Sequence, residues 1–191
     1  MLHRQVKCSK WRCIMGRYIR VMFLLLSCVL LTGCDKKMPE IVFMYESYEM
    51  NSEWYESCII DKEGNIYYTD EKEVFDYTSQ ELTDMYKEGT LDEEMEHIGS
   101  VEVEELQDMY NLYKDVVDSK YNLTSDGMCV DGIVLQKFWY GVSYGGKGVV
   151  ESDFIYQDGN ADHYPSDERA WDIVSWMNEV MGVETMTQPS K

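Results

Sequence analysis

The chain has 191 residues, with 17 Lys and Arg against 36 Asp and Glu, a formal net charge of −19. That balance argues against nucleic acid as a partner, because holding phosphates requires cationic side chains to neutralise them. Hydrophobic residues make up 45% of the chain, and no repeat or low-complexity stretch interrupts them, which suits one globular domain with a real core.

Residues 1–33 carry six Lys or Arg (Arg4, Lys7, Lys10, Arg12, Arg17, Arg20) and no Asp or Glu. An apolar run over 21–31, broken only by Ser27, leads into Leu31-Thr32-Gly33-Cys34. A basic start, a short apolar core and small residues at its end make a secretory signal. The run is shorter than the roughly 20 residues that span a bilayer. Leu31-Thr32-Gly33-Cys34 resembles the bacterial lipobox: an aliphatic residue, a small residue, Gly or Ala, then Cys. The resemblance implies cleavage between Gly33 and Cys34 and a diacylglyceryl group on the Cys34 sulfur. The expected partner is then a membrane, reached through that lipid from its outer face. Two acyl chains hold durably where one binds only marginally. Met15 opens a compact signal of its own, so a start at Met1 or at Met15 would serve export.

Processing at Cys34 removes six of the 17 cationic residues and none of the 36 acidic ones, taking the net charge from −19 to −25. The expected organisation is a signal over 1–33, a lipidated Cys and polar tether over 34–40, one domain over 41–183 and a flexible tail over 184–191. Of six cysteines, Cys8, Cys13 and Cys28 leave with the signal, and Cys34 carries lipid. Cys58 and Cys129 remain, either as one disulfide, which an exported protein can keep, or as two free buried thiols.

Past the tether, 41–48 reads as a strand with Ile41, Phe43 and Tyr45 on one side, and 54–60 as a second. Asp61-Lys62-Glu63-Gly64-Asn65 is a hairpin connection and 66–69 the return strand. Thr78-Ser79-Gln80-Glu81 is a capping box for a helix with Leu82, Met85 and Tyr86 on one face and Gly89 as its stop. Thr90-Leu91-Asp92-Glu93 is a second box, for a short helix ending at Gly99. A longer helix is expected over 102–118, with Leu106, Met109, Tyr110, Tyr113, Val116 and Val117 at helical spacing. Strands are expected over 129–144 and 149–156, turning at 145–148, with a further turn at 158–160. A last helix over 167–181, capped by Ser166, has Ala170, Ile173, Val174, Met177 and Met181 as its core face. The order β-β-β-α-α-α-β-β-α predicts an α+β fold: one domain, an antiparallel sheet, and helices packed on one face.

Chemical motifs are weak. Gly141 to Lys147 nearly matches a phosphate-binding loop, but Gly148 replaces the required hydroxyl and a strand, not a helix, is expected to follow. Asp158, Asn160 and Asp162 have the opening spacing of a calcium loop, yet His163 stands where Gly is needed and Arg169 where Glu is needed. His97 and His163 belong to no metal-ligand spacing, and nothing in the sequence brings Cys129 to His163. No Ser-nucleophile motif occurs after Cys34, and no cofactor is expected. The processed chain holds 14 Tyr and 4 Trp. Such aromatics fill half-buried sheets and also line sugar- and peptide-binding faces. Trp54, Tyr67, Trp139 and Tyr140, all on expected strands, are the candidate binding face.

The whole chain is similar in plan to small uncharacterised lipoproteins of Gram-positive bacteria, clostridia above all. The features that carry the likeness are the lipobox, the short tether, the strand pair from Asp61 to Tyr67, Glu104-Glu105-Leu106, and the Trp171-bearing last helix. That likeness implies no activity. The leading expectation is a non-enzymatic binding or interaction module meeting a protein, peptide or glycan. The alternatives are a carboxylate-dependent envelope hydrolase and an inhibitor or immunity-like protein with an acidic binding face.

Overall fold

The computed structural model describes residues 37–49, 54–72, 76–117, 121–124, 135–158 and 162–183. The lipobox with Gly33 and Cys34, Cys129, Asn160 and the tail 184–191 lie outside the described residues.

Strands β1 (Ile41–Glu49), β2 (Tyr55–Asp61) and β3 (Asn65–Thr69) form an antiparallel meander. Asp61 builds the β2–β3 turn. Its carboxylate accepts the backbone N–H of Glu63 at 3.0 Å and of Asn65 at 2.8 Å, and the Asn65 side-chain amide at 2.8 Å. Gly64 in that turn has φ 85°, and a Cβ there would lie 2.3 Å from the Val101 carbonyl oxygen, so both conformation and space require glycine.

Helix α1 (Ser79–Glu88) starts with the expected capping box. The Thr78 hydroxyl accepts Glu81 N–H at 3.2 Å, and the Glu81 carboxylate accepts Thr78 N–H at 2.8 Å. Gly89 closes the helix in the left-handed conformation. The short helix expected to reach Gly99 stops early: α2 (Leu91–Glu94) is one turn, and β4 (Glu96–Ser100) follows. Leu91, Met95 and Ile98 have helical spacing, but β3 has a free edge whose backbone groups need partners. Pairing from Tyr68↔Glu96 to Asn65↔Ser100 supplies them and overrides the local period. Helix α3 (Val103–Val116) buries Leu106, Tyr110, Tyr113 and Val116 as its spacing predicts.

Strand β5 (Tyr121–Thr124) precedes β6 (Leu135–Tyr144) and β7 (Val150–Asp158), and β8 (Asp162–Pro165) comes before helix α4 (Ala170–Met181). The glycine-rich segment between β6 and β7 is a 3-10 turn (Gly146–Gly148) followed by a strand, so no helix N-terminus is there to receive a phosphate. Ser166 does not cap α4. The Asp167 carboxylate instead accepts the Arg169 N–H at 3.0 Å and grips the Arg169 guanidinium, so the helix begins three residues later than expected. Its five anticipated core residues are all buried.

Six strands in the order β4-β3-β2-β1-β6-β7 form the main sheet, and the four-residue β8 and β5 extend it past β7. Every pairing is antiparallel. The chain is therefore a single α+β domain with an antiparallel sheet and four packed helices. Helices α3 and α4 cover one face, over Phe43, Tyr45, Trp139 and Tyr156. Helices α1 and α2 lie on the other face, over Ile41, Met44, Ile59 and Tyr67. The helices thus divide between two faces, because the central strands carry apolar side chains on both.

Two local expectations change. A register shift between Ile41 and Phe43 puts Ile41 on the face opposite Phe43 and Tyr45, since one extra residue reverses the alternation. Residues 38–40, expected in the tether, belong to the domain. Met38 packs on the α3–α4 side, and Pro39 and Glu40 are buried. Glu40 accepts the Tyr144 hydroxyl at 2.7 Å and meets Lys87 at 4.0 Å.

Helix α3 is locked to the sheet where Gly141 leaves room. A Cβ at Gly141 would lie 2.3 Å from the Tyr113 ring. The Tyr113 hydroxyl donates to the Gly141 carbonyl and lies 3.0 Å from both that oxygen and the Asp153 carboxylate.

Candidate functional site

Antiparallel register lines up side chains in rows across the sheet, each row on one face. On the α3–α4 face one row is Cys58, Tyr45, Trp139 and Tyr156, and the next is Glu56, Ser47, Lys137 and Asp158. The first row is core: Cys58 and Trp139 are 0% exposed. The second is polar, and it lies where α4 runs out. Helix α4 ends at Met181, with Gly182 turning the chain away in the left-handed conformation.

A pocket of about 290 Å³ opens at that end, lined by Tyr45, Trp54, Glu56, Leu135, Lys137, Gly182 and Val183. Trp54 and Leu135 are 43% and 39% exposed, two of the most exposed large apolar side chains among the described residues. Lys137 is buried at 9% exposure, and among the described residues no ion pair includes it. Burial raises the Glu56 carboxyl above its ordinary range, while the positive charge of Lys137 pulls it back. Ser47, between them on β1, is fully buried, and its hydroxyl has no hydrogen-bond partner among the described residues. The Lys137 charge is felt by Glu56, Asp158 stands directly opposite Lys137 on β7, and the Lys137 side chain lines the open pocket.

The anticipated aromatic face is not one face. Trp139 and Tyr140 are consecutive, so they point to opposite sides. Trp139 is sealed in the core, its ring tilted against those of Tyr45 and Tyr156, with its indole N–H donated to Asn178 Oδ1 at 2.9 Å. Tyr67, 8% exposed, is packed on the α1–α2 side, its ring edge-on to His97 on β4. Only Trp54 lies at the pocket.

Tyr140 belongs to a second cluster on the α1–α2 face, with Tyr48, Phe138 and Phe154. Its hydroxyl donates to Glu46, whose carboxyl is raised to about 7, chiefly by burial and secondarily by the negative charge of Asp76. Glu46 was not singled out in the sequence, although its place in a strand beside Met44 and Tyr48 marks it as a carboxylate on an apolar face. Lys137 was missed for the same reason and carried the same signal.

The remaining candidates carry less. Cys58 is a free thiol pushed up to about 12 by burial, with Glu56's charge acting in the same direction. A thiol so raised is a weak nucleophile, and its expected disulfide partner Cys129 lies outside the described residues. Asp158 ends β7 and Asp162 starts β8, but Asn160 between them is outside the described residues, and among the described residues no group of three acidic, His or Cys side chains could hold a metal. Glu93, Glu94, Glu96, Glu102, Glu104 and Glu105 are exposed around β4 and the start of α3, a solvated acidic face. Among the described residues no helix is long and apolar enough to cross a membrane.

The chain matches no protein-family model, no curated protein and no solved structure. Function is therefore read from the chemistry of the site itself.

Proposed function

We propose that the protein is a non-enzymatic binding module, held at the outer face of the membrane by lipid on Cys34, and that the pocket at the end of α4 is its ligand site. The observation that carries the pocket reading is Lys137: a largely buried lysine with no ion pair among the described residues, lining a cavity rimmed by exposed Trp54 and Leu135. Such a site takes a small ligand with an anionic group for Lys137 and an apolar part for the rim. A hydrolase using the carboxylates of this row is disfavoured by spacing. Glu56 on β2 and Asp158 on β7 stand three strands apart, their backbones roughly 14 Å from each other at the usual inter-strand distance, and Asp158 does not line the pocket.

Lys137→Met tests the cationic side of the site. Methionine keeps the length of the side chain and removes its charge, so the Glu56 carboxyl loses the cation that pulls it down and should titrate higher than in the parent. The variant should also lose the melting-temperature rise that small organic carboxylates give the parent. A variant still responsive to carboxylates would remove Lys137 from the site. The anchor has its own check. Growth with a clickable palmitate analogue should label the parent chain, and Cys34→Ala should abolish the label; equal labelling of the two would remove Cys34 as the lipid attachment point.

A second reading rests on Glu46. A carboxyl raised to about 7 beside Asp76 and a cluster of rings is also what a general acid needs. Hydrolysis of an envelope glycan abolished by Glu46→Gln would favour it over the binding module.

A further inference from the structure

We propose that the ligand of the α4-end pocket is a zwitterion, a free α-amino acid with an apolar side chain. The inference rests on the pocket reading above and specifies its chemistry.

The lining holds one cationic group, Lys137, and one carboxylate, Glu56. They stand on β6 and β2 with Ser47 of β1 between them, directly opposite both. Two inter-strand spacings separate their backbones by roughly 10 Å, and their charged ends do not pair. Both line the cavity, each within the other's field but without a direct ion pair. A simple anion would satisfy Lys137 but meet Glu56, and a simple cation would do the reverse. A zwitterion satisfies both and leaves the pocket neutral.

The backbone favours the same orientation. Gly182 and Val183 line the pocket as the chain leaves α4, their N–H groups donating to the Asn178 carbonyl, so the cavity adjoins the negative end of the helix dipole. That end and Glu56 make the ammonium side, and Lys137 makes the carboxylate side. Tyr45, Trp54, Leu135 and Val183 are left to hold the side chain.

Size and field agree. About 290 Å³ lies at the floor of the roughly 300–1,000 Å³ range of drug-sized sites, so the ligand is smaller than a drug or an oligosaccharide. A chain with net charge −19 repels free anions at long range, whereas a zwitterion carries no net charge to be repelled.

The test is calorimetric titration of the full chain in a nonionic detergent with L-leucine, L-phenylalanine, N-acetyl-L-leucine and L-leucinamide. Leucine or phenylalanine should bind, with the N-acetyl and amide forms at least tenfold weaker. Lys137→Met should abolish binding. Glu56→Gln should bring leucine and N-acetyl-leucine to within about threefold of each other. Trp54→Ala, at an exposed rim position, should weaken phenylalanine about tenfold, and a parent-like circular dichroism spectrum is the folding check for every variant. N-acetyl-leucine binding as tightly as leucine would overturn the zwitterion and leave an anion pocket standing. Absence of heat from all four probes would overturn the pocket reading as well.

Discussion

Trp139→Ala is expected to cost about 4 kcal/mol or more and to lower the melting temperature on the order of 10 °C. Trp139 is the largest fully buried side chain among the described residues. Its ring centroid lies 5.1 Å from that of Tyr45 and 5.2 Å from that of Tyr156, so truncation opens a cavity between two aromatic neighbours that are themselves fixed in strands. The indole N–H also satisfies Asn178, which is 2% exposed on α4. Losing it leaves a buried amide oxygen unpaired, at about 1–3 kcal/mol. Trp139→Phe isolates that second cost, keeping most of the ring and removing only the N–H. Urea unfolding of both variants reads the two effects, and ligand titration of Trp139→Phe should match the parent because Trp139 does not line the pocket. Impaired binding at unchanged stability would reverse this placement and return Trp139 to a binding face.

The elements that were legible in the sequence are those whose signal is local. The Thr78–Glu81 box and Gly89 set both ends of α1 within a few residues, and the apolar spacing of α3 and α4 named their buried faces almost residue by residue. The Asp61–Asn65 turn is likewise local, since Asp61 satisfies its own neighbours. What failed was non-local. Strand β4 exists because β3 offers an edge, and nothing between Leu91 and Gly99 announces that edge. The reversal at Ile41 comes from a bulge, which a period of two cannot anticipate. Pro39 and Glu40 read as tether because they are polar or helix-breaking, and only Tyr144 and Lys87, far along the chain, show that Glu40 belongs to the domain.

The site was illegible for a related reason. Strand aromatics were grouped by type, whereas alternation divides them by face, so Trp139 and Tyr140 could never share one surface. The informative residues were the charged ones out of place. Strand alternation puts Lys137 on the Trp139 side and Glu46 on the Met44 side, both apolar faces. An ionisable group on a core face has to be paired, neutralised or used. Lys137 borders a cavity; Glu46 is held by Tyr140.

Glu46 makes the domain more stable in mild acid, and Glu46→Gln should abolish much of that dependence. The carboxyl is raised from 4.5 to about 7, chiefly by burial. Between those values the folded state holds a proton that the unfolded state has released, so stability is fully present below about pH 4.5 and falls as pH rises through 7. The full interval corresponds to about 3 kcal/mol. Glutamine cannot ionise, and its side-chain oxygen still accepts the Tyr140 hydroxyl. The variant should therefore exceed the parent by up to about 3 kcal/mol at pH 8, with the difference shrinking to near zero at pH 4.5. Asp76 supplies part of the shift, so Asp76→Asn should reproduce a smaller portion of the gain at pH 8 by removing the like charge. Urea midpoints across pH 4.5–8 measure all three proteins. A Glu46→Gln variant less stable than the parent at every pH would mean that the carboxylate, not the acid, is the form this sheet face was built to hold.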